Sequence, residues 1–209
     1  MKNPILLGLI CSLWLGSAGA AKQPQPSKRT ASPAGTSATE LGGYYHERLG
    51  YVNGKWIEIR YGRPIKRSRD LFGPDDFVDF LNDAAPVWRA GANYSTQIFN
   101  EMPIEIGGAR IAPGAYTVFI ELARDTWTLI ISNWKAQTQG YQVNHRDALF
   151  GAFEYTPGKD VVRTRMTLET LPFSYDQLHW QFLDMTDAGG RIAIFWDTKM
   201  ASVAFTVVK

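Results

Sequence analysis

The chain has 209 residues, 45% of them apolar and 20% charged, with 22 lysines and arginines against 20 acids. That composition supplies a packed core, while a net charge of +2 is too small to create the global field that gathers nucleic acid. A single cysteine, Cys11, excludes an internal disulfide framework, so stability has to come from packing and hydrogen bonding.

Met1, Lys2 and Asn3 form a short cationic start, and Ile5 to Leu15 is an apolar run too short to span a bilayer stably. Ala18, Gly19 and Ala20 then offer the small residues of a cleavage site. Residues 1–20 therefore read as a secretory signal peptide, with an uncleaved anchor as the other reading. Ile10, directly before Cys11, argues against lipoprotein processing. Cleavage would leave 21 cations against 20 acids, no cysteine and no integral membrane segment, in a periplasmic or secreted protein. Residues 21–43 are rich in Pro, Ser, Thr, Ala and Gly and read as a flexible linker. The folded domain is expected over 44–209. A domain of roughly 150 residues buries about 68–70% of the surface its unfolded chain exposes, enough for a core without cross-links.

Inside the domain the leading period is two. Ile57, Ile59 and Tyr61 alternate with Trp56, Glu58 and Arg60, as in a strand with one buried face. Asn53 and Gly54 just before it predict a tight hairpin turn, because both tolerate positive φ. Gly107 and Gly108 predict a second. A two-turn helix is expected from Pro74 to about Asn82, since Asp75 and Asp76 suit a first turn and Phe77, Phe80 and Leu81 share a face. Strand-like runs follow at Tyr116 to Leu122, Trp127 to Ser132, Val161 to Leu168, Leu178 to Met185, Arg191 to Trp196 and Val203 to Val208. Trp134 to Arg146 reads as irregular. The expected fold is all-β, an antiparallel β-sandwich or flattened barrel of about 8–10 strands with one short helix.

The candidate site is an arginine-rich signature in two pieces. The first runs from Arg60 through Tyr61, Gly62, Arg63, Pro64, Lys66, Arg67 and Arg69 to Gly73, and the second from Trp88 through Arg89, Gly91 and Ala92 to Asn93. Its order resembles the bacterial domain-of-unknown-function family 2911. The turn from Gly108 to Phe119, the strand opening at Trp127 and the block Asp160 to Arg163 are similar to that family as well, so the likeness runs from about Ile57 to Val208. The chain departs from the family pattern at Ala90, where a hydroxyl residue is usual, at Ala84 to Pro86, and at Phe150, where a tryptophan is usual. The resemblance implies an exported β domain and brings no reaction with it.

Arg60, Arg63, Arg67, Arg69, Trp88, Arg89 and Asn93 are the candidate ligand-binding residues. Converging guanidinium forks bind carboxylate, phosphate or sulfate bidentately, each charge-assisted bond contributing about 1.5–3 kcal/mol. The competing reading pairs these cations with Asp70, Asp75, Asp76, Asp79 and Asp83, where a surface ion pair contributes about 0–1 kcal/mol. Trp127, Trp180 and Trp196 are expected in the core and Trp56 and Trp134 at the surface. His46, His145 and His179 show no metal-ligand spacing, so no metal or cofactor is expected. His145 with Asp147, or a carboxylate pair such as Glu154 with Asp160, would serve catalysis only if the fold brought the partners together. The leading functional reading is a binding module for a small anionic or saccharide ligand or an envelope partner. An envelope hydrolase and a purely structural envelope component are the alternatives.

Overall fold

A computed structural model describes residues 30–143 and 145–208; the segment read as a signal peptide lies outside them. Two antiparallel sheets carry the fold. Six strands pair in the order β1 (Ala34–Leu41), β4 (Lys55–Gly62), β5 (Thr96–Asn100), β8 (Gly114–Leu122), β9 (Trp127–Ser132) and β12 (Asp160–Arg165). Four more pair as β13 (Thr167–Thr186), β14 (Gly189–Val207), β6 (Ile104–Ile106) and β7 (Ala109–Ile111). The small pairs are β2 (Tyr44–His46) with β3 (Gly50–Val52), and β10 (Lys135–Ala136) with β11 (Ala148–Leu149), the latter parallel. The helix α1 spans Phe77–Asn82. This is the expected all-β sandwich, and among the described residues the sheets do not close into a barrel.

The alternation read in β4 is present: Ile57, Ile59 and Tyr61 are buried against Leu178, Trp180, Ile192 and Ile194 of the facing sheet. Each such aliphatic or aromatic side chain contributes about 1.5–3 kcal/mol when fully buried, so this shared interior dominates stability. Three expectations change. Residues 34–41, assigned to the linker, form β1 and pair with β4 over its full length, because Leu41 is buried and Ser37 donates to the Trp180 carbonyl oxygen at 2.5 Å. Asn53 does adopt positive φ (64°), yet Asn53 and Gly54 face Gly42 and Gly43 across an interruption in one long hairpin, which turns at Glu47–Leu49. The runs near Arg191 and Val203 are a single strand, β14, continuous through Asp197. Gly107 and Gly108, with φ of 60° and 78°, do make the second turn.

β5 escaped the periodicity because its buried positions include Thr96 and Asn100. Thr96 Oγ1 donates to the Ala90 carbonyl at 3.1 Å and Asn100 Nδ2 to the carbonyls of Met102 and Ala112 at 2.8 and 2.9 Å, while the buried Asn100 Oδ1 has no hydrogen-bond partner among the described residues. A second small core lies on the outer face of the six-stranded sheet, where Phe119 and Ile130 are covered by Val87, Leu149, Ala152 and Tyr155. The segment after Trp134, expected to be irregular, opens with the short strand β10 and is otherwise turns and coil among its described residues; it is a cover, and it forms one wall of the site described next.

Candidate functional site

The two pieces of the signature cross. At Gly62 the backbone of β4 passes so close to Ala92 that a Cβ would overlap its carbonyl oxygen, and a Cβ at Gly91 would sit 3.0 Å from the Gly62 oxygen. Only glycine permits that approach. Beyond the crossing, Trp88 exchanges both backbone hydrogen bonds with Ile120 at 2.9 Å, and its buried ring stacks on Trp196 at 6.1 Å and meets Trp127 edge-on at 6.0 Å. Ala90, held at φ 52°, presents its carbonyl to the indole N–H of Trp180 at 3.1 Å. Trp88 is therefore anchored in the core, with its edge lining the base of a cleft.

The first piece runs along the free side of β13. Leu178 N–H donates to the Pro64 oxygen at 3.0 Å, and Lys66 N–H to the Asp176 oxygen. This covers an edge that would otherwise offer unpaired backbone groups. Lys66 Nζ then meets the buried Asp197 carboxylate, which also accepts from Ser174 Oγ at 2.8 Å. Burial pushes the Asp197 carboxyl up, but its bonds from Lys66, Ser174 and the Leu71 N–H outweigh that and hold it below its ordinary range.

The seven candidate residues separate. Arg69, Trp88, Arg89 and Asn93 line one cleft of about 400 Å³, with Phe80 and Phe150 as aromatic walls. Arg60 points elsewhere, paired with Glu58 and lying over the Phe99 ring at 4.4 Å. Arg63 packs its stem on Gly35, and its buried Nε has no hydrogen-bond partner among the described residues. It lies close enough to His179 to help burial hold that imidazole below its ordinary range, against a bond to the Gln177 oxygen. Arg67 is exposed in a turn with φ 53°.

Within the cleft the arginines are held by part of each fork. Arg89 donates to the Asn93 carbonyl at 3.1 Å and to Asp83 at 2.7 Å, with Gly151 flat against its guanidinium. Arg69 donates to the carbonyls of Lys66 and Ile65 at 2.7 and 2.8 Å and lies 5.6 Å over Phe80. A guanidinium has five N–H groups, so each arginine keeps donors for another acceptor. Asp83 sits in left-handed geometry at the end of α1 and is largely exposed.

The family model described as a protein of unknown function, DUF2911, matches residues 46–205. The chain belongs to the DUF2911 family. No curated protein and no solved structure matches the chain. The DUF2911 signature accordingly has its physical account here in the crossing at Gly62 and in the ion pair of Lys66 with Asp197.

No hydrogen bond joins His145 to Asp147 among the described residues, and Asp160 of the carboxylate pair is engaged by other side chains. Asp147 pairs with Lys159 at 3.3 Å, and no ring nitrogen of His145 is hydrogen-bonded among the described residues. Asp160 is engaged by the Tyr155 hydroxyl at 2.5 Å and by Arg163 at 3.0 Å. Burial, then the bond to that carboxylate, pushes the Tyr155 hydroxyl above the ordinary tyrosine range. No group of three or more metal-ligating side chains converges among the described residues, and no helix there is long and apolar enough to cross a membrane. Sequence reasoning missed Phe80, Asp83 and Phe150 as cleft residues. Phe80, expected on the apolar stripe of the helix, is exposed. The mismatch at Phe150 was the one signal for it.

Proposed function

We propose that the protein is an extracytoplasmic binding module whose cleft takes the carboxylate of an acidic sugar. The observation that carries this reading is Arg89: its side chain lines the cleft at only 15% exposure, it is aimed by a backbone carbonyl, and its acidic partner Asp83 is solvent-exposed and exchangeable. Arg69 lines the same cleft, and Phe80 and Phe150 supply apolar faces for a sugar ring. The cleft has the size of a small-molecule site and the mixture of apolar walls with few polar groups that such sites share. The secretory reading of residues 1–20 supports the compartment.

Two charge-assisted contacts of about 1.5–3 kcal/mol each, less ordering costs, correspond to a dissociation constant on the order of millimolar for a single sugar acid. Titration of galacturonate and glucuronate by NMR, with glucose as the neutral control, tests this. The acids bind and glucose does not, and Arg89→Ala removes the binding while its stability stays within about 1 kcal/mol of the parent. Equal response to glucose, or undiminished binding by Arg89→Ala, overturns the reading.

A further inference from the structure

The cleft does not end at Arg89. A second cavity of about 340 Å³ shares Asp83, Arg89 and Phe150 with it and adds Tyr141 and Phe153. A third, of about 220 Å³, shares Tyr141, Phe150 and Phe153 and reaches Arg146 and Glu154. The three hollows form one track along the segment that covers the six-stranded sheet. Phe150 links them, with Tyr94 edge-on at 5.8 Å on one side and Tyr141 at 6.1 Å on the other, and Tyr141 continues to Phe153 at 6.0 Å.

Tyr141, Phe153 and Phe80 are each about half exposed, at 54%, 47% and 53%. Large rings left in water along one channel mark an interaction surface. We infer that the track binds an acidic polysaccharide chain, with a uronate carboxylate on Arg89 and Arg69 and successive sugar faces against Phe150, Tyr141 and Phe153. This rests on the single-site reading above and extends it from one sugar to a chain.

Three features favour a glycan over other polymers. A peptide bound by strand addition is held through an unpaired strand edge, whereas Tyr141, Phe150 and Phe153, the rings that line the track, stand on turns and irregular chain. Single-stranded nucleic acid is held by a basic groove that follows its phosphates, whereas among the described residues cations line the track only at Arg69, Arg89 and Arg146, and the rings between them suit a glycan held mainly through its sugar faces. A folded protein partner buries on the order of 1,000 Å² across a broad complementary face, whereas the exposed rings here lie along a run of connected hollows that suits a narrow chain.

The test is a length series of oligogalacturonates, from monomer to hexamer, titrated by calorimetry into the full mature chain and into Tyr141→Ala and Phe153→Ala, with melting temperatures confirming that the variants are folded. Affinity rises at least about tenfold from monomer to tetramer, the size of one additional stacking contact. Each variant removes that gain and leaves monomer binding as it was. Affinity that stays flat with length, or a gain that survives both substitutions, overturns the extended track while leaving the single-sugar site standing. Failure of every length to bind, the monomer included, overturns both.

Discussion

Lys66 and Arg89 come from the same signature, carry the same charge and each meet an aspartate. Asp197, the partner of Lys66, has a side chain only 6% exposed, is held at φ 51° and is tied further by Ser174. Asp83, the partner of Arg89, is 76% exposed. Burial of the acid separates the two pairs. A carboxylate already stripped of water has nowhere else to go, so the Lys66 pair holds the fold. One that remains in solvent gives up little when another carboxylate replaces it, so the Arg89 pair marks a place where a ligand can enter.

The sharpest way to break the comparison is on the structural side. Gly62→Ala drives a methyl group into Ala92 and lowers unfolding stability by at least about 3 kcal/mol, read by urea denaturation. Lys66→Met leaves a buried carboxylate uncompensated and costs about 3 kcal/mol, most of which Lys66→Met with Asp197→Asn recovers. Asp197 also leaves a pH signature. Because its carboxyl is held below the ordinary 3.8, its contribution is complete above about pH 4 and is lost as the pH falls through its lower folded value. Asp197→Asn therefore flattens acid unfolding in that window.

On the ligand side the effects are smaller and lie in binding. Asp83→Asn changes stability by less than about 0.5 kcal/mol and tightens uronate binding severalfold, because the competing carboxylate is gone. The smallest effect concerns His179, whose depressed pKa makes the folded state favour the neutral ring. Stability then declines as the pH falls from about 7 through the folded pKa, and His179→Phe, which keeps the stacking on Phe195, weakens that dependence in thermal melts.

Much of the fold was legible because apolar alternation survives translation into strands: β4, β8, β9 and the Gly107–Gly108 turn follow from residue type alone. β5 was hidden because Thr96 and Asn100 are buried polar groups whose donors are taken up by backbone carbonyls, and polarity on the page suggested exposure. β1 was hidden for the reverse reason. Its Ala, Gly, Ser and Thr residues resemble a linker, and they become a strand only because β4 offers a complete ladder and β13 lies alongside. In the site, the signature named the right arginines but could not separate them. Arg69 and Arg89 line one cleft, whereas Arg60 and Arg63 leave β4 and the chain just beyond it for other surroundings. Phe150 and Tyr141 come from a segment more than fifty residues after Arg89 in the chain, and no local pattern links residues that far apart.

The most direct test is to measure unfolding stability and galacturonate binding in parallel on Lys66→Met and Arg89→Ala. The two halves of the signature predict opposite results: Lys66→Met loses stability and still binds at temperatures where it is folded, and Arg89→Ala stays within about 1 kcal/mol of the parent stability and no longer binds. If stability and binding fall together in both variants, or Arg89→Ala binds as the parent does, the division of labour between the buried and the exposed pair is wrong.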